Sequence, residues 1–278
     1  MSKRAALIAG GGSGEHLVSP VAAGGSWIAS RTVSSRLIGA FFLAGFLTYG
    51  VGFALVSSVI SAPDLLSSIA AHQAPLVIGA FLMLLNTVVD VGKAVLFFPI
   101  LERYGRRTAI AYLAAMIVEV VVLTVGVLSL LMLSPIAHQG AIAGQEAWAG
   151  GLGSLAVQAN ATAYQIAEMT LALGCMFLFS LLLRSGLIPR FLSVWGLAGY
   201  ALLLVGEIAE ISGLPISLAL SIPGGWLEVT LGLWLIFKGF SPMAYAPMSA
   251  DQGSRRMVQV TTTAAISYGL PSPFLPTS

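Results

Sequence analysis

Long apolar runs separated by short polar breaks dominate the chain from Leu37 to Phe237, and none shows the in–out alternation of a half-buried strand. The runs lie at residues 37–60, 75–101, 108–133, 162–183, 191–211 and 218–237. Each has about 20 residues or more, enough to cross a hydrocarbon core of roughly 30 Å at about 1.5 Å per residue. Inside lipid only a helix or a closed barrel pairs every backbone N–H and C=O, and these continuous runs lack barrel alternation. The pattern therefore predicts an all-α fold, a polytopic membrane bundle of six transmembrane helices within residues 33–240. In the last run "SIPGG" places Pro223 where it would leave only a short helix from Trp226.

The breaks differ in length and chemistry. "ERYGRR" and "RSGLIPR" are short, which makes the second and third runs, and the fourth and fifth, antiparallel neighbours. Gly105 and Gly186 suit helix C-terminal caps, and Pro189 suits the first turn of the fifth helix. The connection at 134–161 is the longest, and its "EAWAGGLGSLAVQANA" is read as holding a short interfacial helix with Trp148 at the headgroups. Residues 1–32 read as a flexible cytoplasmic tail and residues 241–278, rich in Pro, Ser and Thr, as a mostly disordered one. The glycine-rich "LIAGGGSGEH" in the first tail follows no strand and has no Lys-Ser/Thr pair, so it does not read as a phosphate loop.

Composition agrees with the runs: 57% of residues are apolar and 9% charged, against roughly a quarter charged in an ordinary soluble domain. The net charge of +2 matters less than its placement. Arg31 and Arg36 precede the first run, Arg103, Arg106 and Arg107 join the second and third, Arg184 and Arg190 join the fourth and fifth, and Lys238 follows the sixth. Connections 61–74, 134–161 and 212–217 contain no Lys or Arg. By the positive-inside rule both termini are cytoplasmic. No basic run points to nucleic acid, and the single cysteine, Cys175, excludes an intrachain disulfide.

Six carboxylates interrupt or border the runs, namely Asp90, Glu119, Glu168, Glu207, Glu210 and Glu228, against one base, Lys93. A charge at a helix centre costs about 2.5–3.5 kcal/mol on insertion scales, so such groups face the bundle interior or water and find partners. Asp90 and Lys93, three apart, share a helix face and can neutralise one another, with Asn86 extending that face by one turn. One lysine does not balance six acids. Glu119 stands near mid-depth without a local partner, Glu168 ends a row Asn160, Tyr164, Glu168 along one face, and Glu207 with Glu210 share a face near the outer leaflet. An acidic column of this kind is what a proton relay or cation path needs; pairing for stability alone is the plainer alternative.

Enzyme chemistry has little support. His16, His72 and His138 lie in the tail or outer connections, without a metal-binding or nucleophile motif, and no cofactor, metal or catalytic residue is expected. Ala40 with Ala44, Ala111 with Ala115, and Gly196 with Gly199 offer close helix contacts. Trp195, Trp226 and Trp234 read as interface anchors or packing.

The segments "LFFPILERYGRRTAIAYL", "IVEVVVLTVGVLSLL", "LLLRSGLIPRFLSVWGLAGYALLL" and "LEVTLGLWLIFKGF", in that order, resemble a family of mainly bacterial multi-pass proteins, domain of unknown function 4386, over about residues 36–240. The resemblance implies a compact bundle of about six helices in the inner (cytoplasmic) membrane. It also implies glutamate at the places of Glu119 and Glu228, apolar residues at those of Asp90 and Lys93, and a base where Met116 stands, so that Lys93 would replace a charge missing near Glu119. Two functions follow from the residues: a small transporter or proton-coupled permease using Glu119, Asp90, Lys93 and Glu228, or a non-catalytic scaffold or partner subunit whose charges fix helix register. The expected partners are the lipid bilayer and a small solute, ion or protein.

Overall fold

Backbone groups shut away from water must be paired within their own segment, and the apolar runs do this as helices throughout. The computed structural model describes residues 20–241, with side-chain packing from Val33. Its elements are α1 (Pro20–Ile60), α2 (Leu65–Ala71), α3 (Gln73–Leu131), α4 (Leu133–Gly140), α5 (Glu146–Ser185), α6 (Arg190–Ile211) and α7 (Ser217–Phe237), with no strand among the described residues. α1 starts at Pro20, inside the segment read as a tail, because proline is well placed in a first turn, where no partner is needed for its missing N–H. The rest of that tail, residues 1–19, and the C-terminal tail from residue 242 lie outside the described residues.

Among the described residues five helical stretches are long and apolar enough to cross a membrane: Val33–Ile60, Gln73–Gly140, Glu146–Ser185, Arg190–Ile211 and Ser217–Phe237. The sequence pattern predicts six, and the difference arises at Gly105. That residue is not a left-handed cap; it is the one non-helical position (φ 179°, ψ 85°) inside the 59-residue α3. The chain reverses there without a loop, and Phe97 before it meets Tyr112 after it edge to face at 6.3 Å. Gly186 does cap its helix as expected, at φ 64° with its N–H donated to the Leu182 carbonyl.

Two further expectations are corrected. "SIPGG" does not break α7, which runs unbroken through Pro223. The Pro223 carbonyl accepts the Trp195 indole N–H at 3.1 Å, so a neighbouring helix holds the kink-prone turn and Trp195 is a packing residue. The segment with Trp148 is not a separate interfacial helix but the start of the 40-residue α5, about 60 Å long at 1.5 Å per residue. The bilayer's apolar core accounts for about half of that length. The remainder packs with α2 and α4 as a cap over one end of the bundle.

Helix contacts close a circle: α1 on the first arm of α3 (73–104), that arm on the second (106–131), the second on α5, then α6, then α7, and α7 back on α1. Every neighbouring pair is antiparallel, as the paired contacts show: Gly52 with Gly79 and Gly45 with Asn86, Gly126 with Ala163 and Gly174 with Ala115, Gly206 with Ser217 and Gly199 with Gly224. Glycine lets the backbones touch. A Cβ added at Gly39 would lie 2.5 Å from the Gly232 carbonyl oxygen, so the α1–α7 contact runs through Gly39 while Ala40 of the predicted pair is exposed.

Two apolar clusters fill the ends of this circle. One, toward Gly105, gathers Phe97, Tyr112, Phe179, Leu227 and Leu231; the other, toward the cap, gathers Val56, Ile69, Leu76, Met83 and Leu130. The outside is apolar too, with Leu47, Phe81, Val88, Val121 and Phe237 more than half exposed. A belt of that extent is unsustainable against water and suits lipid.

In the cap, Asp64 sits before α2 and accepts the Ser67 N–H at 3.3 Å. Hydrogen bonds from Ser67, through its hydroxyl and its N–H, hold the Asp64 carboxyl below the usual carboxylate range. The sign follows: the contribution is present above the unfolded pKa and is lost as pH falls through the lower folded value. Amide exchange in the first turn of α2 is therefore expected to accelerate on acidification relative to α6, and Asp64→Ala to remove the difference.

Candidate functional site

Between the two clusters lies a cavity of about 260 Å³, and all six rods of the circle contribute to its wall. α1 supplies Gly45, Phe46, Tyr49 and Gly50; the α3 arms supply Asn86, Asp90 and Lys93, then Glu119; α5 supplies Tyr164 and Glu168; α6 supplies Tyr200; α7 supplies Ser221, Gly225 and Glu228. The sequence spacing explains this convergence. Asn86, Asp90 and Lys93 repeat at helical period on one face of the first arm, and the reversal at Gly105 brings Glu119 of the second arm to the same depth.

One side of the cavity is a connected chain. The Asn86 amide donates to Asp90 Oδ2 at 2.6 Å, and Lys93 Nζ lies 2.6 Å from Asp90 Oδ1. Lys93 Nζ also stands 4.8 Å over the Phe42 ring, and the Thr48 hydroxyl is 3.3 Å from Asn86 Oδ1. A Cβ at Gly45 would come within 3.2 Å of Asn86 Oδ1, so glycine clears the space this chain occupies. Both Asp90 oxygens are thus held, which is the condition under which a buried ion pair persists.

The other acids are arranged differently. Glu228 Oε1 accepts the Tyr200 hydroxyl in a short hydrogen bond across α6 and α7. Tyr49 and Tyr164 stack at 5.5 Å beside Glu168. Glu119 is only 2% exposed, and its Oε2 has no hydrogen-bond partner among the described residues. Lys93 forms its ion pair with Asp90 on the same helix, and Glu119 lines the same cavity without an ion pair to Lys93 among the described residues.

Asn86, Asp90, Lys93, Glu119, Glu168 and Glu228 therefore share one cavity, while Glu207 and Glu210 do not. Those two serve the start of α7: Glu207 accepts the Ser217 hydroxyl and Glu210 accepts the Ser217 N–H at 3.2 Å. Carboxylates there satisfy orphan donors and suit the positive end of the helix dipole.

Sequence reading missed Tyr49, Tyr200, Thr48 and Gly45. The signal for Gly45 and Tyr49 was their i, i+4 spacing on α1, which in an apolar run looks the same as packing.

Chemically, four carboxyls face one ammonium. Among the described residues Asp90 alone of the four forms a salt bridge, so charge balance at Glu119, Glu168 and Glu228 calls for protons or a bound cation. No grouping of His, Cys, Asp and Glu among the described residues is arranged to hold a metal ion.

A family model described as a domain of unknown function, DUF4386, matches residues 37–239. Neither curated proteins nor solved structures give a match.

Proposed function

Because the chain belongs to the DUF4386 family, whose definition carries no activity, we propose its function from the site alone. The bundle crosses the cytoplasmic membrane six times with both termini inside, and its central cavity binds and passes a proton or small cation, as a small transporter or proton-coupled permease does. The convergence of Asp90, Lys93, Glu119, Glu168 and Glu228 from the two arms of α3, from α5 and from α7 on one cavity carries this reading. A chain that only needed stable insertion would not gather three acids lacking a base in one place. Orientation rests on the Gly105 end, where Arg103, Arg106, Arg107, Arg184, Arg190 and Lys238 cluster, while connections at the cap end contain no Lys or Arg.

Purified protein in liposomes loaded with a pH-sensitive dye tests it. Wild type is expected to dissipate an imposed proton or solute gradient, and Glu119→Gln to fall to the level of protein-free liposomes while keeping its fold. A second reading, a scaffold or partner subunit, draws on the self-contained chain Thr48, Asn86, Asp90 and Lys93. It is favoured if no gradient moves and Glu119→Gln changes only stability.

A further inference from the structure

We infer that the cavity receives a small organic ammonium ion, which enters sideways through the gap between α1 and α7. This deepens the reading above and rests on it by naming the class of cation.

The first observation is Glu119. An acceptor oxygen buried without a donor costs free energy unless a ligand supplies one, and Glu119 Oε2 is such an atom in the wall of the cavity. The second is the aromatic content of that wall, since Tyr49, Tyr164, Tyr200 and Phe46 all line it. Ring faces attract ammonium groups, and carboxylates balance their charge. The protein already uses this combination on itself: Lys93 Nζ pairs with Asp90 and lies over the Phe42 ring. A volume of about 260 Å³ restricts the occupant to a small molecule.

The route follows from what surrounds the cavity. Apolar clusters close both ends. α1 and α7 are clamped at Gly39 and Gly232, and farther along the pair the contact loosens. A Cβ at Gly225 would stand 3.5 Å from the Phe46 ring, and one at Gly50 would meet nothing within 4 Å. Phe46, Gly50, Ser221 and Gly225 all line the cavity, and Phe46 is 49% exposed. The open side therefore lies between these two helices.

The test uses the full chain in detergent, with n-butylammonium and n-butanol as charged and neutral probes of the same shape. Butylammonium is expected to raise the unfolding temperature saturably and butanol not to. Glu119→Gln should weaken apparent affinity by about ten-fold, the loss of one charge-assisted hydrogen bond. In stopped-flow fluorescence Gly50→Trp should slow butylammonium association, and Gly150→Trp, at another position where an added Cβ meets nothing within 4 Å but away from the cavity, should associate at the wild-type rate. Equal responses to both probes, or undiminished butylammonium binding in Glu119→Gln, overturn the ammonium assignment; normal kinetics in Gly50→Trp overturns the route. Proton flux without ammonium binding overturns this inference and leaves the transport reading standing, whereas ammonium binding without flux supports the inference and removes transport.

Discussion

Lys93→Met is expected to destabilise the detergent-solubilised protein by about 3–5 kcal/mol, and adding Asp90→Asn to recover most of that loss. Asp90 is 5% exposed and its carboxylate is held by Lys93 Nζ on one oxygen and the Asn86 amide on the other. Removing the ammonium leaves a buried anion with one neutral donor, which is far worse than never having had the pair. The double variant replaces the pair with an amide and an apolar chain of similar reach, so the desolvation penalty goes with the charges. Thermal unfolding followed by intrinsic fluorescence, with size-exclusion profiles as a check on folding, reads out the cycle. Rescue by Glu119→Gln instead of Asp90→Asn would show that the lysine balances Glu119 rather than Asp90. Equal loss in the single and double variants would assign its contribution to packing on Phe42.

Two glycines on the same helix are expected to respond oppositely to the same change. Gly39→Ala inserts a methyl 2.5 Å from the Gly232 carbonyl oxygen, backbone that cannot step aside without parting α1 from α7. Overpacking of this kind costs about 1–3 kcal/mol. Gly50→Ala meets nothing within 4 Å and replaces the costlier residue in a helix interior, for a gain of about 0.5–1 kcal/mol. Unfolding temperatures of the two variants, measured side by side, decide the matter. A loss at Gly50 comparable with that at Gly39 would mean that the α1–α7 gap is closed in the membrane.

Helix content was legible because apolar runs of span length leave the backbone no other way to pair in lipid, and the acids were legible because each is conspicuous in such a run. What escaped detection was relational. α5 reaches back to Glu146 because Ala- and Gly-rich sequence can pack against α2 and α4, and a hydropathy threshold is blind to a partner it has not met. Pro223 stays inside α7 because Trp195 supplies a donor from another helix. Glu207 and Glu210 looked like the other acids along the chain, and only the proximity of Ser217 separates a helix cap from a cavity wall. Conversely, the reversal at Gly105 needed no more than local sequence to place, although its backbone form was misjudged.

The length of α5 carries a mechanical consequence. One stiff rod holds Trp148, 59% exposed in the cap, and Glu168 in the cavity wall. Between those two points it is pressed against the second arm of α3, where a Cβ at Gly126 would lie 3.0 Å from the Ala163 Cβ. The cap and the cavity wall are thus built on one continuous helix, and neither can be displaced along its axis without the other.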